Sequence, residues 1–102
     1  MQKGWGNGYI AIPEGHPLHR KGVGEISVAV HGGITLAAEP SLAIMMEFPE
    51  VQPTDWILGF DTMHNHDTLQ HWTKERVEAE TLHMKHLIEN GEYKIYSDEE
   101  ER

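Results

Sequence analysis

The chain has 102 residues, 38% of them hydrophobic, with 8 Lys+Arg against 17 Asp+Glu for a formal charge of −9. A single domain over 1–102 is the simplest organisation at this length, with 1–6 and 97–102 expected as flexible termini. The charge argues against direct nucleic-acid binding and against an anionic membrane surface, and the lack of cysteine excludes disulfides and thiolate metal sites.

No apolar run approaches the roughly 18 residues that span a bilayer. The opening MQKGWGNGYIAIPEG has no apolar h-region, so the expected setting is cytoplasmic. Histidine is abundant, with 8 in the chain. Mild acidification should therefore move the net charge steeply towards zero.

In chain order, Asn7-Gly8 opens a short β-prone run, Tyr9–Ile12, which Pro13 stops. PEGHPLHRKGVGE, residues 13 to 25, is rich in Gly and Pro and reads as a loop. Ile26, Val28 and Val30 then alternate with Ser27, Ala29 and His31, the period of a strand with one buried face. Gly32-Gly33 interrupts and Ile34-Thr35-Leu36 resumes, which suggests a tight hairpin or a bulge in one bent strand.

EPSLAIMMEFPEVQPT, residues 39 to 54, contains an apolar patch in which Ser41 can cap a turn of helix over Ser41–Glu47. Asp55–Asp61 is mostly apolar and suits a strand buried on both faces. Thr73–Asn90 has no Pro or Gly, and Val77, Thr81, Met84 and Ile88 form one stripe with Leu87 beside it. Thr73 can cap this helix, Glu75 suits its first turn, and Asn90-Gly91 supplies a left-handed stop. Asp67 with Gln70 also resembles a capping box, which would start the helix earlier. Tyr93–Tyr96 can form a last edge strand.

A helix with one apolar stripe must bury it against the alternating strands. The expected fold is α+β in two layers: a small, mostly antiparallel sheet of three or four strands packed on one long C-terminal amphipathic helix.

Four segments, GYIAIPEGHPL, VHGGIT, WILGFDTMHNHD and ERVEAETLHMKHLI, resemble a family of short uncharacterised proteins of bacteriophages and prophages. Members read Gly-Tyr-Val-x-Val-Pro-x-Gly-His-Pro, His-Gly-Gly-Leu-Thr and Trp-x-x-Gly-Phe-Asp-x-x-His-x-x-Asp, followed by a helix. The match runs in the same order from Asn7 to Leu87. It departs where members carry a Cys and a Gly, here Thr62 and His66, and where they carry an aromatic, here His19. The resemblance implies a phage-type setting, in the cytoplasm of an infected or lysogenic bacterium, and little chemistry. Carried over by position, its motif falls on His16, His31, Gly32, Gly33, Thr35, Asp61, His64 and Asp67.

These residues form the candidate ligand-binding set, and two readings stand side by side. In one, His31, Asp61, His64 and Asp67 converge as a site for a divalent metal such as zinc or manganese, able to activate water for hydrolysis. In the other they are structural: Asp61 forms a turn, Asp67 caps the helix, His31 closes the Gly-Gly turn and His64 pairs with Asp61. His83 on the helix should be solvated, and His71 can pair weakly with Asp67. Trp5, Trp56 and Trp72 read as packing residues. HNHDTLQH lacks the spacing of metallo-β-lactamase-like hydrolases, and GHPLHRKG lacks that of a phosphate-binding loop.

Without a complete catalytic set, the expected activity is binding of a host protein or of a small polar, nucleotide-like ligand. A counter-defence inhibitor fits the phage setting. The alternatives are a metal-dependent hydrolase and an acidic mimic of nucleic acid. A homodimer through Trp56, the Met45-Met46 patch or an edge strand is a further expectation.

Overall fold

The structure, a computed structural model, describes residues 6–62, 68 and 70–96. In chain order the elements are β1 (Asn7–Ile12), β2 (Ile26–Ser27), β3 (Leu36–Ala38), α1 (Leu42–Glu47), β4 (Trp56–Asp61), α2 (Lys74–Glu89) and β5 (Lys94–Ile95). Three strands form an antiparallel sheet in the order β1-β4-β3, and β2 pairs with β5 in a separate antiparallel ribbon. The fold is α+β, with the C-terminal helix laid across the sheet. Among the described residues no helix is long and apolar enough to cross a membrane.

The β1–β4 register runs from Asn7 opposite Asp61 to Ile12 opposite Trp56. Alternation therefore puts Gly8, Ile10, Ile12, Leu58 and Phe60 on one face, and Tyr9, Ala11, Ile57 and Gly59 on the other. The first face meets α2, whose Val77, Met84 and Ile88 are buried, as the stripe in the sequence requires. Burial of each such side chain contributes about 1.5–3 kcal/mol. Leu18, Ile26, Val28 and Val30 complete this core.

Gly8 sets the spacing between helix and sheet. A Cβ there would collide with Thr81 Oγ1 and the Phe60 ring. On the opposite face the Tyr9 ring lies over Gly59, where a Cβ would sit 2.7 Å from Tyr9 Cδ1. Both glycines allow close approach where a side chain would not fit.

The helix ends follow capping chemistry. The Thr73 hydroxyl accepts the Arg76 N–H, Asn90 is the C-terminal cap, and Gly91 follows with φ 74. The earlier start expected from Asp67 lies outside the described residues; Thr68 Oγ1 there accepts the His71 N–H, closing a turn just ahead of the helix. α1 is capped by Ser41, whose hydroxyl accepts the Ile44 N–H at 3.1 Å. Trp5 and the terminal segments 1–5 and 97–102 lie outside the described residues as well.

One expectation needs correction. The arms flanking Gly32-Gly33 form neither a hairpin nor one bent strand: β2 pairs with β5, whereas β3 pairs with β4. Gly33 N–H does bond the Val30 carbonyl at 2.9 Å, closing a turn with Gly32 at φ 69. That turn redirects the chain from the ribbon to the sheet. The buried alternation of Ile26, Val28 and Val30 holds, but only Ile26 and Ser27 pair as a strand. The sheet surface under α2 belongs to β1, with β4 beside it.

Candidate functional site

Two regions bear on function. The first is the surroundings of His31. Its main-chain N–H donates to Glu80 Oε2 at 2.8 Å, and its ring packs on Trp72 with centroids 4.2 Å apart. Trp72 in turn lies 6.5 Å from the Phe60 ring, with the Arg76 guanidinium 4.9 Å from its own ring centre. Arg76 Nη1 donates to the His71 carbonyl at 2.7 Å, which holds it over the indole. The structure thus brings His31 to the segment that leads into α2.

Asp61 ends β4 opposite Asn7, and alternation sends its side chain to the face shared by Tyr9 and Ile57, away from Phe60. Gly32 and Gly33 form the turn beside His31. Thr35 is exposed, and its N–H bonds the Gly59 carbonyl at 2.8 Å just outside the β3 ladder. His64, His66 and Asp67 lie outside the described residues. Among the described residues, no group of three or more His, Asp or Glu side chains is placed to hold a metal ion.

His16 sits elsewhere. Its Nδ1 accepts the Leu18 N–H at 3.1 Å, and its ring faces Tyr93 at 6.1 Å. It lines a groove together with Lys85, Ile88 and Glu89 of the last turns of α2, whereas His31 contacts Glu80 and the residues ahead of that helix. His16 and His31 are therefore anchored at different ends of α2. His83 and His86 are exposed.

That groove is the second region. Its volume is about 590 Å³, and its walls come from both faces of β1, from the α1 segment and from the end of α2. Tyr9, Ala11 and Ile57 lie on one face of the sheet and Ile10 and Ile12 on the other, and Ile44, Phe48 and Val51 of the α1 segment and Ile88 of α2 complete the apolar lining. The groove therefore wraps the outer edge of β1. Its polar residues are His16, Glu50, Lys85 and Glu89. A concave, mostly apolar hollow with a few polar groups at its margin has the character of a binding site. None of its apolar wall was singled out from the sequence as a site. The available signals were the proline stopping the first β run and the apolar patch over residues 42 to 51.

The loop of residues 13 to 25 is tied to the entry of β4. Trp56 Nε1 donates to the Lys21 carbonyl at 2.9 Å, and His19 Nε2 lies 2.7 Å from the Thr54 carbonyl. Trp56 is thus engaged within the chain through its indole N–H. No family model, curated protein or solved structure matches the chain.

Proposed function

We propose that the chain is a small accessory protein of the phage type its motifs resemble, acting in the bacterial cytoplasm by binding another protein in the manner of a counter-defence inhibitor. The groove along β1 is the docking place. The observation that carries this reading is the chemistry of its walls. Tyr9, Ile44, Phe48, Val51 and Ile88 supply apolar and aromatic surface, and they outweigh the four ionisable residues His16, Glu50, Lys85 and Glu89. A small polar or nucleotide-like ligand needs several convergent polar partners, whereas side chains of a protein partner need apolar surface of this kind.

Capture from a bacterial lysate by the wild-type chain and by Phe48→Asp, run side by side, tests the reading. Phe48 is half-buried at the groove, so the charge spoils the surface without opening the main core. A protein retained by the wild type and lost with Phe48→Asp is the expected result. Capture that ignores the substitution, or no captured protein, removes the reading.

A further inference from the structure

The outer edge of β1 carries main-chain groups that no strand among the described residues takes up. Gly59 turns its carbonyl towards β3, where it accepts the Thr35 N–H. Successive residues of a strand direct their main-chain groups to opposite sides, so Leu58 and Phe60 face β1. Their partners Ile10 and Gly8 face β4. Gly6 agrees with this phase, since its N–H and carbonyl both bond the Thr62 hydroxyl on the β4 side. The N–H and C=O groups of Asn7, Tyr9 and Ala11 therefore point outward, and β1 is an edge of the sheet. Of these, Tyr9 and Ala11 line the apolar groove.

From this arrangement we infer that the groove accepts an extended segment of a partner protein, which adds to the sheet as a strand beside β1. The inference rests on the binding reading above and names its occupant. An open main-chain edge selects for extended backbone, and side chains leaving alternately to the two sides enter different walls. One set enters the wall on the Tyr9 and Ala11 face, the other the wall on the Ile10 and Ile12 face, and both walls are apolar. The segment is therefore apolar on both sides over about three residues, the reach of the outward residues Tyr9 and Ala11.

Charge selects the flanks. Glu50 and Glu89 stand at the groove against one Lys85, on a chain of net charge −9. Basic residues at the ends of the segment complement this, and a second copy of the same acidic chain does not. Pro13, which lacks an N–H, closes the β1 ladder at its C-terminal end.

The test uses the full chain and three synthetic peptides sharing a valine–isoleucine alternating centre. One has lysine flanks, one has glutamate flanks, and one has lysine flanks with an N-methyl group on every central residue, which leaves neither edge able to pair. Amide exchange at Tyr9 and Ala11 is followed by NMR. The lysine peptide should slow exchange at both amides. The glutamate peptide should bind about tenfold more weakly, two favourable contacts having become unfavourable. The N-methyl peptide should give no protection.

Equal binding of the N-methyl peptide, or unchanged Tyr9 and Ala11 exchange at saturating lysine peptide, overturns strand addition. Protection of both amides in the chain alone, rising with its own concentration, would make a second copy the occupant and overturn it too. Failure here stays separate from failure of the binding reading. A lysate protein lost with Phe48→Asp, whose complex leaves the Tyr9 and Ala11 amides exchanging freely, keeps the groove as a docking site and removes the added strand.

Discussion

Thr62 and Gly6 are joined twice through one hydroxyl: Oγ1 accepts the Gly6 N–H at 3.0 Å and donates to the Gly6 carbonyl at 2.6 Å. Thr62 is fully buried, so its side chain prolongs the β1–β4 ladder where the strand ends. Thr62→Val keeps the shape and leaves both main-chain groups unmet. Urea unfolding should show a loss of about 1–3 kcal/mol, and Thr62→Ser, which retains the hydroxyl, should lose less.

Gly8→Ala should destabilise by about 1–3 kcal/mol, because a methyl group there drives the helix off the sheet. Thr81→Ala in the same chain removes one of the two obstacles and should restore part of the loss. The Phe60 ring remains in the way. A double-mutant cycle read by chemical denaturation measures the coupling.

Glu80 holds the turn that carries His31. Glu80→Ala should cost about 1 kcal/mol and speed exchange of the His31 amide, whose acceptor it removes. Glu80→Gln keeps an acceptor and should leave that amide protected. An unchanged His31 amide in Glu80→Ala would contradict the bond.

Trp56→Phe removes the indole N–H that bonds the Lys21 carbonyl while keeping an aromatic ring. The expected loss is about 1 kcal/mol. Exchange should rise in the loop of residues 13 to 25, with little change at α2. Uniform change across the chain would show that Trp56 serves packing alone.

The binding reading also makes a prediction about metal. Protein purified without an affinity tag should contain substoichiometric zinc and manganese by elemental analysis, and adding either should leave Tm unchanged, since a ligand bound only by the folded state raises it. One bound equivalent would favour the hydrolase alternative built on His31, Asp61, His64 and Asp67.

Much of the fold is legible wherever one residue's local chemistry decides the outcome. Ser41 and Thr73 announce their helices because a hydroxyl ahead of an apolar run caps free N–H groups. The Ile26, Val28, Val30 alternation identifies a buried side for the same local reason. Pairing is different: alternation states which face is inward and nothing about which strand lies alongside. Hence Gly32-Gly33 suggests a hairpin, while Ile26 in fact pairs with Ile95. The groove is still less legible. Tyr9 of β1, Ile44 and Phe48 of the α1 segment and Ile88 of α2 come from three parts of the chain and line one groove only after folding. Among the site residues, His31 is drawn to Trp72 by ring packing that no spacing rule encodes, and His16 to the groove by the course of its loop.

The pairing pattern has a kinetic consequence. Ile26 meets Ile95, Asn7 meets Asp61, and Leu36 meets Gly59, so every described ladder joins stretches far apart along the chain. Among the described residues no two paired strands are joined by a tight hairpin, β3 and β4 being separated by residues 39 to 55, and α2 is the longest element able to form from near neighbours. Assembly should be slow for a chain of this size, on the order of milliseconds to seconds, because distant partners must find one another before either is held.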